Sequence, residues 1–413
     1  MTTEAFVYDA IRTPRGRSTQ TNDVPELKPV SLTIRLIDEI RRRNPGLDPA
    51  QLDDLVLGVA AGDTAPGGGI ARTAALAAGL PDTATGVPLH RFSAAGLEAV
   101  NVAAQKVRSG WESLVLAGGV ESMSRTVVGS PHSAGSTDNS DSSRTVDPHT
   151  LFANGSAPQG IVADLIATLA GWSRDDVDAY AATSQSRAAD AWAKRQFARS
   201  IVPVTDHDGA VLLASDEMVR PQTTVESLGT LQPAFAGIGA AGGFDAVALQ
   251  RYDWLKSVQH VHTAGNSSDV VGGAALVLIG NEYAGRRSGL TPRARIVSVG
   301  LSGDDAAIML TGPAPATRKA LAKAGLTTGD IDLVEMNEAF AAVVLRFIED
   351  TGFDPDQVNV NGGAIAMGHA LGATGAILIG TLLDELEHQD LRYGLVTLSV
   401  GDGMGIATVL ERL

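Results

Sequence analysis

The sequence of 413 residues contains no cysteine. That absence excludes disulfide bonds, thiolate-ligated metal sites and a cysteine nucleophile, so any covalent chemistry must use another side chain. The eight histidines do not occur at the H-x-x-x-H or H-E-x-x-H spacings that place two imidazoles on one helix face. We therefore expect no bound metal.

Aromatic residues and positive charge are also scarce. Phe, Trp and Tyr make up 4% of the chain, and the net charge is −15. Because nucleic-acid and anionic-membrane binding depend on clustered Lys and Arg, the sequence argues against both kinds of partner. No stretch has the roughly 18 consecutive apolar residues of a membrane-spanning helix, and the first residues lack a basic segment followed by an apolar one. We expect a soluble protein of the cytoplasm.

The chain does contain a regular alternation of strand-like and helix-like segments. Strands predicted at 5–10, 55–58 and 114–117 alternate with helices at 31–43 and from Ser93 to about 108. With 44% apolar residues and 46 glycines, this alternation indicates an α/β protein whose helices pack closely on a parallel sheet. The length allows two to three domains or one large fused pair.

The second half of the chain repeats the order of the first. Segment 326–335 resembles 47–58, and a helix at about 371–386 with a strand at 395–398 resembles the Ser93 helix and its following strand. We infer a duplication in which two like halves pack together. Between them, residues 124–243 are polar and rich in glycine, and a helix is predicted at 174–197. We expect this insertion to cover the face where the halves meet and its stretch 130–143 to be mobile.

Three glycine-rich turns, at 90–96, 361–372 and 399–405, are candidates for chemistry. Two of them carry a serine after a predicted strand, Ser93 and Ser399, and Ser93 also stands at a predicted helix start. Free N–H groups at a helix N-terminus can stabilise an oxyanion or a nucleophile. The alternative is structural, because serine is a preferred helix cap and glycines make tight turns.

Two further residues are candidates for proton transfer or oxyanion binding. His369 lies in a glycine-rich apolar loop before a helix, where it is either a general base or a satisfied buried histidine. Asn337 follows a predicted strand and by default would cap the next helix.

Taken together, several segments resemble the degradative and biosynthetic thiolases, and they occur in the order of that family across nearly the whole chain. The matching stretches are Arg12-Thr13-Pro14, Arg91-Phe92-x-x-x-Gly96-Leu97, Gly118-Gly119-Val120-Glu121-Ser122-Met123-Ser124, Thr263-Ala264-Gly265-Asn266, Asn337-Glu338-Ala339-Phe340, Asn359-Val360-Asn361-Gly362-Gly363-Ala364, Gly368-His369 and Gly403-Met404-Gly405.

The resemblance implies a thiolase fold, in which two duplicated α/β halves form a five-layer α-β-α-β-α arrangement with an inserted loop domain. We expect residues 1–123 and 244–285 to form the N-terminal half and residues 286–413 the C-terminal half. Residues 124–243 would form the loop domain over the active site.

The resemblance also implies roles for individual residues. Ser93 stands where the family has its nucleophilic cysteine, and His369 stands where it has the base of that cysteine. Ser399 replaces a second cysteine, which moves the α-proton of an acyl-CoA. Asn337 would hold an oxyanion-hole water with His369, and the backbone N–H groups of Ser93 and Gly401 would form a second oxyanion hole.

Substrate and assembly follow from the same resemblance. Acyl-CoA would be the substrate, with Ser268 contributing to its binding and with no covalently bound cofactor. The family forms dimers or tetramers, so we expect a homodimer or homotetramer with the strand before Ser93 and the segment 71–78 at the subunit interface.

The chain departs from the family pattern at more than the two cysteine positions. Ala95 replaces the usual serine or glycine and Ala370 the usual proline, while Asp269 and Gly272 alter the usual Ser-Gly-Ile-Asn-Asp-Gly sequence. Since a laboratory exchange of one cysteine would not produce all these changes, we favour natural divergence.

Serine changes the chemistry that can be expected. A thiol ionises near pH 8.5, whereas a serine hydroxyl can attack only as a base removes its proton, and an unassisted Ser399 hydroxyl cannot remove an α-proton. We expect a thiolase-like acyltransferase of fatty-acid metabolism in which carbon–carbon thiolysis and condensation are impaired and acyl transfer through Ser93 remains open. The alternatives are an inactive acyl-CoA-binding or scaffold protein and a cysteine-to-serine variant of an active 3-ketoacyl-CoA thiolase.

Overall fold

A computed structural model describes residues 3–17, 27–60, 69–121, 158–241 and 243–413. Eleven strands occur in these ranges: β1 (Phe6–Arg12), β2 (Asp54–Gly58), β3 (Thr85–Leu89), β4 (Leu114–Glu121), β5 (Val204–Thr205), β6 (Val211–Leu213), β7 (Gly273–Gly280), β8 (Ala294–Gly303), β9 (Leu333–Met336), β10 (Tyr393–Val400) and β11 (Met404–Arg412).

Thirteen α-helices occur in the same ranges: α1 (Pro29–Arg43), α2 (Ile70–Ala77), α3 (Ala95–Ser109), α4 (Gln159–Ala170), α5 (Arg174–Ala193), α6 (Val225–Gly229), α7 (Ala236–Ala241), α8 (Phe244–Arg251), α9 (Glu282–Arg287), α10 (Pro313–Ala324), α11 (Ala341–Thr351), α12 (Ala364–Met367) and α13 (Thr374–His388).

Alternating side chains divide the apolar residues of the sheet between two faces. On β2, Leu55 and Leu57 pack in a cluster with α1 and α2, while Val56 packs in a second cluster with α3 and α13. A third cluster joins α4, α10 and α11 to β9, β10 and β11. Helices α3 and α13 thus lie between two parts of the sheet, with further helices outside each part. This is the five-layer α-β-α-β-α order that the sequence resemblance implied.

The two parts of the sheet are hydrogen-bonded to each other. The strand order is β3-β2-β4-β7-β1-β8-β11-β10-β9, and the join is a short antiparallel pairing of Phe6 with Arg295 and Val7 with Ala294. Strands β5 and β6 form a separate two-stranded sheet. The sheet is mixed rather than parallel, because β7 runs antiparallel to both β1 and β4.

The duplicated order predicted from the sequence is present. A short 3₁₀ helix (Pro49–Gln51) precedes β2, and another (Thr328–Asp330) precedes β9. Helix α3 leads into β4 and helix α13 into β10. The low-complexity stretch 130–143 lies outside the described residues.

Several predicted boundaries were wrong. The helix expected to open at Ser93 begins at Ala95, with Ala94 as its capping residue, so Ser93 belongs to the preceding turn. Ser399 lies inside β10 rather than after it. Helix α5 ends at Ala193, before the predicted end at 197, because the chain turns through Arg195 with a φ of 60°.

The buried carboxylate of Asp164 links helix α4 to the segment that precedes β7. Asp164 of α4 bonds His262 Nδ1 at 2.8 Å through one oxygen and His260 Nδ1 at 2.7 Å through the other. His260 Nε2 lies 3.1 Å from Asp245 of α8, and His262 Nε2 accepts the Ala342 N–H at the start of α11 at 3.4 Å. His260 therefore bridges two carboxylates on two different helices.

Hydrogen bonds to Asp164 and Asp245 outweigh burial and raise the pKa of His260 above its usual 6.5. The folded protein then binds more protons than the unfolded chain between pH 6.5 and the raised pKa, and stability falls as pH rises through that window. We expect His260→Gln to remove this part of the pH dependence, which amounts to about 1.4 kcal/mol for each unit of pKa shift. Urea unfolding from pH 5 to 9 measures it.

The matched control is His207→Gln. His207 also lies beside a carboxylate, Asp208, at 3.2 Å, but the side chains are 82% and 78% exposed, so its removal should leave the pH dependence unchanged. Equal pH profiles for the parent protein and His260→Gln would contradict the bridging role.

Candidate functional site

Ser93 lies in a strained turn between β3 and α3. Phe92, just before it, has a φ of 47°, in the left-handed region that bulky residues rarely adopt. The capping residue Ala94 offers no side-chain hydrogen bond to the first turn of α3, so Ser93 stands beside free N–H groups and the positive end of a helix dipole. The Ser93 hydroxyl donates to the backbone carbonyl of Ser399 at 3.4 Å.

The second serine position comes from the β10–β11 hairpin. Ser399 is buried and pairs with Gly405 across the hairpin. A Cβ on Gly401 would lie 3.5 Å from the ring of Phe92, so the hairpin turn packs against the turn that carries Ser93. The structure thereby brings together two serines that are 306 residues apart in the sequence.

His369 is held on both sides of its ring and along its backbone. Its Nδ1 lies 2.7 Å from Thr374 Oγ1, and its Nε2 lies 3.5 Å from the amide nitrogen of Asn337. Its backbone N–H donates to the Asp269 carbonyl at 2.8 Å, and its carbonyl accepts the Val271 N–H. Since an amide N–H₂ can only donate, this network places the proton on Nδ1 and makes Nε2 the accepting nitrogen, with its lone pair facing Asn337.

The imidazole of His369 is a neutral group. Burial, followed by the nearby positive charge of Arg15, lowers its pKa from 6.5 to about 3. At neutral pH the ring is therefore uncharged, with its one proton on Nδ1, and its low basicity makes Nε2 a weak proton acceptor.

Asn337 is fixed by the loop that follows β9. It is 1% exposed, its backbone N–H donates to Thr397, and its Oδ1 has no hydrogen-bond partner in the described part of the chain. The next residue, Glu338, is anchored by the hydroxyls of Tyr180 and Ser184, both at 2.7 Å. Asn337 does not cap α11, since Phe340 occupies that position.

Ser268 lies against the same loop. Its hydroxyl and its backbone N–H both point to the Ala339 carbonyl, at 3.2 and 3.0 Å. Burial raises the pKa of the neighbouring Asp269, and the positive charges of Arg220 and Arg17 oppose that rise. Ser268 is thus half-buried against Ala339, and the Asp269 carboxylate that follows it lies within the electrostatic influence of two guanidinium groups.

The structure forms two pairs, Ser93 with Ser399 and His369 with Asn337. A close approach between the elements that carry them joins the pairs: a Cβ on Gly96 of α3 would come within 2.5 Å of the Gly372 carbonyl. Within the described ranges, however, the Ser93 hydroxyl makes no hydrogen bond to His369. The structure thus gathers the predicted residues without a direct bond between Ser93 and His369.

Two residues of the site were missed in the sequence. Thr374, which orients His369, stands five positions after it, and that i, i+5 spacing across a 3₁₀ turn has no simple sequence signature. Arg15 is the other: it is 3% exposed and donates to the Gly368 carbonyl, whereas a charged side chain is ordinarily expected at the surface.

Among the described residues, no group of three or more His, Asp or Glu side chains is arranged to hold a metal ion. None of the helices in those ranges combines the length and the apolar character needed to cross a bilayer.

Comparison with known families gives two matches that together cover most of the chain. The family described as "Thiolase, N-terminal domain" matches residues 5–250, and the family described as "Thiolase, C-terminal domain" matches residues 290–412.

Individual relatives and a solved structure agree with these matches. The 3-ketoacyl-CoA thiolases of Shewanella oneidensis and Shewanella frigidimarina are each 38% identical to this chain over 420 residues, covering 99% of it and 100% of the relative. A crystal structure of the acetyl-CoA acetyltransferase of Bacillus anthracis superimposes with a TM-score of 0.82 at 32% identity. The match covers 100% of this chain and 99% of that one.

Proposed function

This chain belongs to the thiolase family and is an acyltransferase of thiolase type, and from that premise we propose that it transfers acyl groups from acyl-CoA thioesters through Ser93. The observation that carries the proposal is the neutral imidazole of His369, which Thr374 orients so that Nε2 is the nitrogen without a proton. Ser93 supplies a hydroxyl at a helix N-terminus, where a nucleophile or an oxyanion is stabilised.

The first half-reaction balances without a further reactant. The Ser93 oxygen attacks the thioester carbonyl and forms an ester bond, while its proton passes to His369 Nε2. The carbon–sulfur bond breaks, and the thiolate of coenzyme A takes the proton from His369. The products are an acyl ester of Ser93 and free coenzyme A.

Two groups of hydrogen-bond donors are available to stabilise an oxyanion formed from a thioester carbonyl. Backbone N–H groups at Ser93 and Gly401 form one, and a water held between Asn337 and His369 forms the other. The buried and unpaired Oδ1 of Asn337 supports the second, because such an atom is normally satisfied by an ordered water.

We propose that ordinary thiolysis and condensation are slow in this chain. Moving an acyl group from a thioester to a serine ester is downhill, so its return to coenzyme A is uphill. In addition, the Ser399 hydroxyl has a pKa too far from the working pH to remove the α-proton that condensation requires. The acyl ester then passes to water, an alcohol or an amine.

We further propose that the chain assembles as a homodimer or homotetramer through β3. This strand pairs only with β2 among the described strands, and most of its residues are exposed or half-buried. A bare sheet edge of this kind favours pairing with a second copy. Size-exclusion chromatography with light scattering measures the assembly.

The proposed function is tested with a panel of acyl-CoAs that differ in chain length. Release of coenzyme A is followed, and peptide mass spectra locate any adduct. We expect the added mass of one acyl group on Ser93 and none in Ser93→Ala. Measurable acyl-CoA binding with neither adduct nor coenzyme A release would contradict the proposal and favour a thiolase fold retained for binding or assembly. The low pKa of His369 favours that second candidate.

A further inference from the structure

Arg15 is a buried cation three residues after the end of β1. Its backbone N–H donates to Asp216 Oδ1 at 2.7 Å, and its guanidinium Nη1 donates to the Gly368 carbonyl at 3.1 Å. Gly368 immediately precedes His369, so a positive charge is fixed behind the loop that carries the imidazole.

The guanidinium of Arg15 has no ion-pair partner within 4.0 Å among the described residues, and its Nε has no hydrogen-bond partner there. Arg12, three positions earlier, differs in this respect, because two of its nitrogens bond the two oxygens of Asp216 at 2.8 and 3.0 Å. Burial lowers the pKa of Arg15 from 12.5 to about 10. Arg15 therefore remains charged at neutral pH, at a cost in desolvation that no direct carboxylate contact offsets.

The charged groups that act on Arg15 are Asp216, Arg12, Glu335 and Glu338. The pKa of His369 is lowered first by burial and then, among the charged groups of the described residues, by Arg15. A cation beside an imidazole disfavours the imidazolium form, because a second positive charge would then lie in the same poorly solvated region.

We propose that Arg15 is a positioning residue that holds the Gly368–His369 loop by the Gly368 carbonyl and fixes a positive charge close to the imidazole of His369. This inference rests on the proposed function, in which His369 accepts the proton of Ser93. It adds a specific consequence. A serine nucleophile needs an unprotonated base at the start of the reaction, whereas a thiolate–imidazolium pair needs a protonated one. A fixed positive charge close to His369 favours the neutral imidazole that a serine nucleophile needs and disfavours the imidazolium of a thiolate–imidazolium pair.

Two variants separate the charge of Arg15 from its hydrogen bond. Arg15→Gln keeps a donor for the Gly368 carbonyl and removes the charge, while Arg15→Lys keeps the charge. In each protein the pH titration of the His369 ring is followed by NMR of ring-labelled histidine, with His369→Gln to assign the signal.

We expect the His369 titration to move upward by about one pH unit or more in Arg15→Gln and to stay in place in Arg15→Lys. The acid limb of the pH profile for Ser93 acylation should move by the same amount. An unchanged titration in Arg15→Gln, or equal shifts in both variants, would overturn the inference. If only one variant folds, its titration is still a sufficient test. The proposal is contradicted if the His369 titration does not move upward in Arg15→Gln, or if it does move upward in Arg15→Lys.

The titration does not depend on catalysis, so the two proposals fail separately. A titration that shifts as expected in a protein whose Ser93 is never acylated would remove the proposed function and leave the role of Arg15 on His369 standing. If Ser93 is acylated but the His369 titration does not move in Arg15→Gln, the proposed function stands and the role of Arg15 on His369 is removed.

Discussion

Replacing His369 by alanine is expected to slow acylation of Ser93 by about 10²–10⁴-fold, the usual contribution of a positioned general base. The effect should be large because a serine hydroxyl, unlike a thiol, has no appreciable ionised fraction near neutral pH. Stopped-flow or quenched-flow measurement of coenzyme A release in the first turnover gives the rate constant. Acyl-CoA affinity should change little, since the imidazole is 6% exposed and offers a ligand little surface.

His388→Ala is the matched control. This histidine is on the same C-terminal half, at the end of α13, but its side chain is 38% exposed and lies beside Glu385 rather than in the site. Its loss should leave the rate within about twofold of the parent. Equal acylation rates in His369→Ala and the parent protein would show that His369 is not the base.

The fold was predictable because it depends on features that repeat along the chain. Strand–helix alternation and the similarity of 47–58 to 326–335 are local patterns, and the structure places both segments as a 3₁₀ turn followed by a sheet strand. The five layers came from the resemblance to thiolases rather than from periodicity. The joining of the two sheet parts by Phe6 and Val7 had no signal, because two residue pairs are too few to leave a pattern.

The residues of the candidate site were named from the sequence, but the contacts among them were not. Ser93, Ser399, His369 and Asn337 were named from turns and motifs, and the structure pairs them as Ser93 with Ser399 and His369 with Asn337. The role of Asn337 as a helix cap, the structural alternative, was wrong because the chain continues through three more residues before α11 begins. Their catalytic roles remain predictions until the acylation experiment is done.

The burial of charge was the least predictable feature. Arg12 and Arg15 are charged residues of a type ordinarily found at the surface, yet they are 2% and 3% exposed. Their burial depends on Asp216, which lies 204 residues from Arg12 in the chain. A contact of that sequence separation leaves no local trace, since it depends on how the inserted segment folds back onto β1.

Arg12→Met is expected to destabilise the protein by about 3–5 kcal/mol, the usual cost of leaving one partner of a buried ion pair uncompensated. Asp216 is 5% exposed, and the bidentate pair is its main compensation besides the Arg15 N–H. The variant also loses a contact between the Arg12 guanidinium and the ring of Phe197, 5.2 Å away. Urea unfolding at pH 7 measures the loss.

The pH dependence of that loss distinguishes charge from packing. In the parent protein the nearby arginines lower the pKa of Asp216 in spite of its burial. Without Arg12, burial should raise that pKa above its unfolded value, and the folded state would then bind the extra proton. Stability lost at pH 7 would be regained as pH falls through the raised pKa. Arg286→Met is the control. The side chains of Arg286 and its partner Glu282 are 79% and 66% exposed, so this ion pair should contribute less than about 1 kcal/mol to stability. A deficit in Arg12→Met that is the same at every pH would mean that packing, not the buried charge, holds the inserted segment on β1.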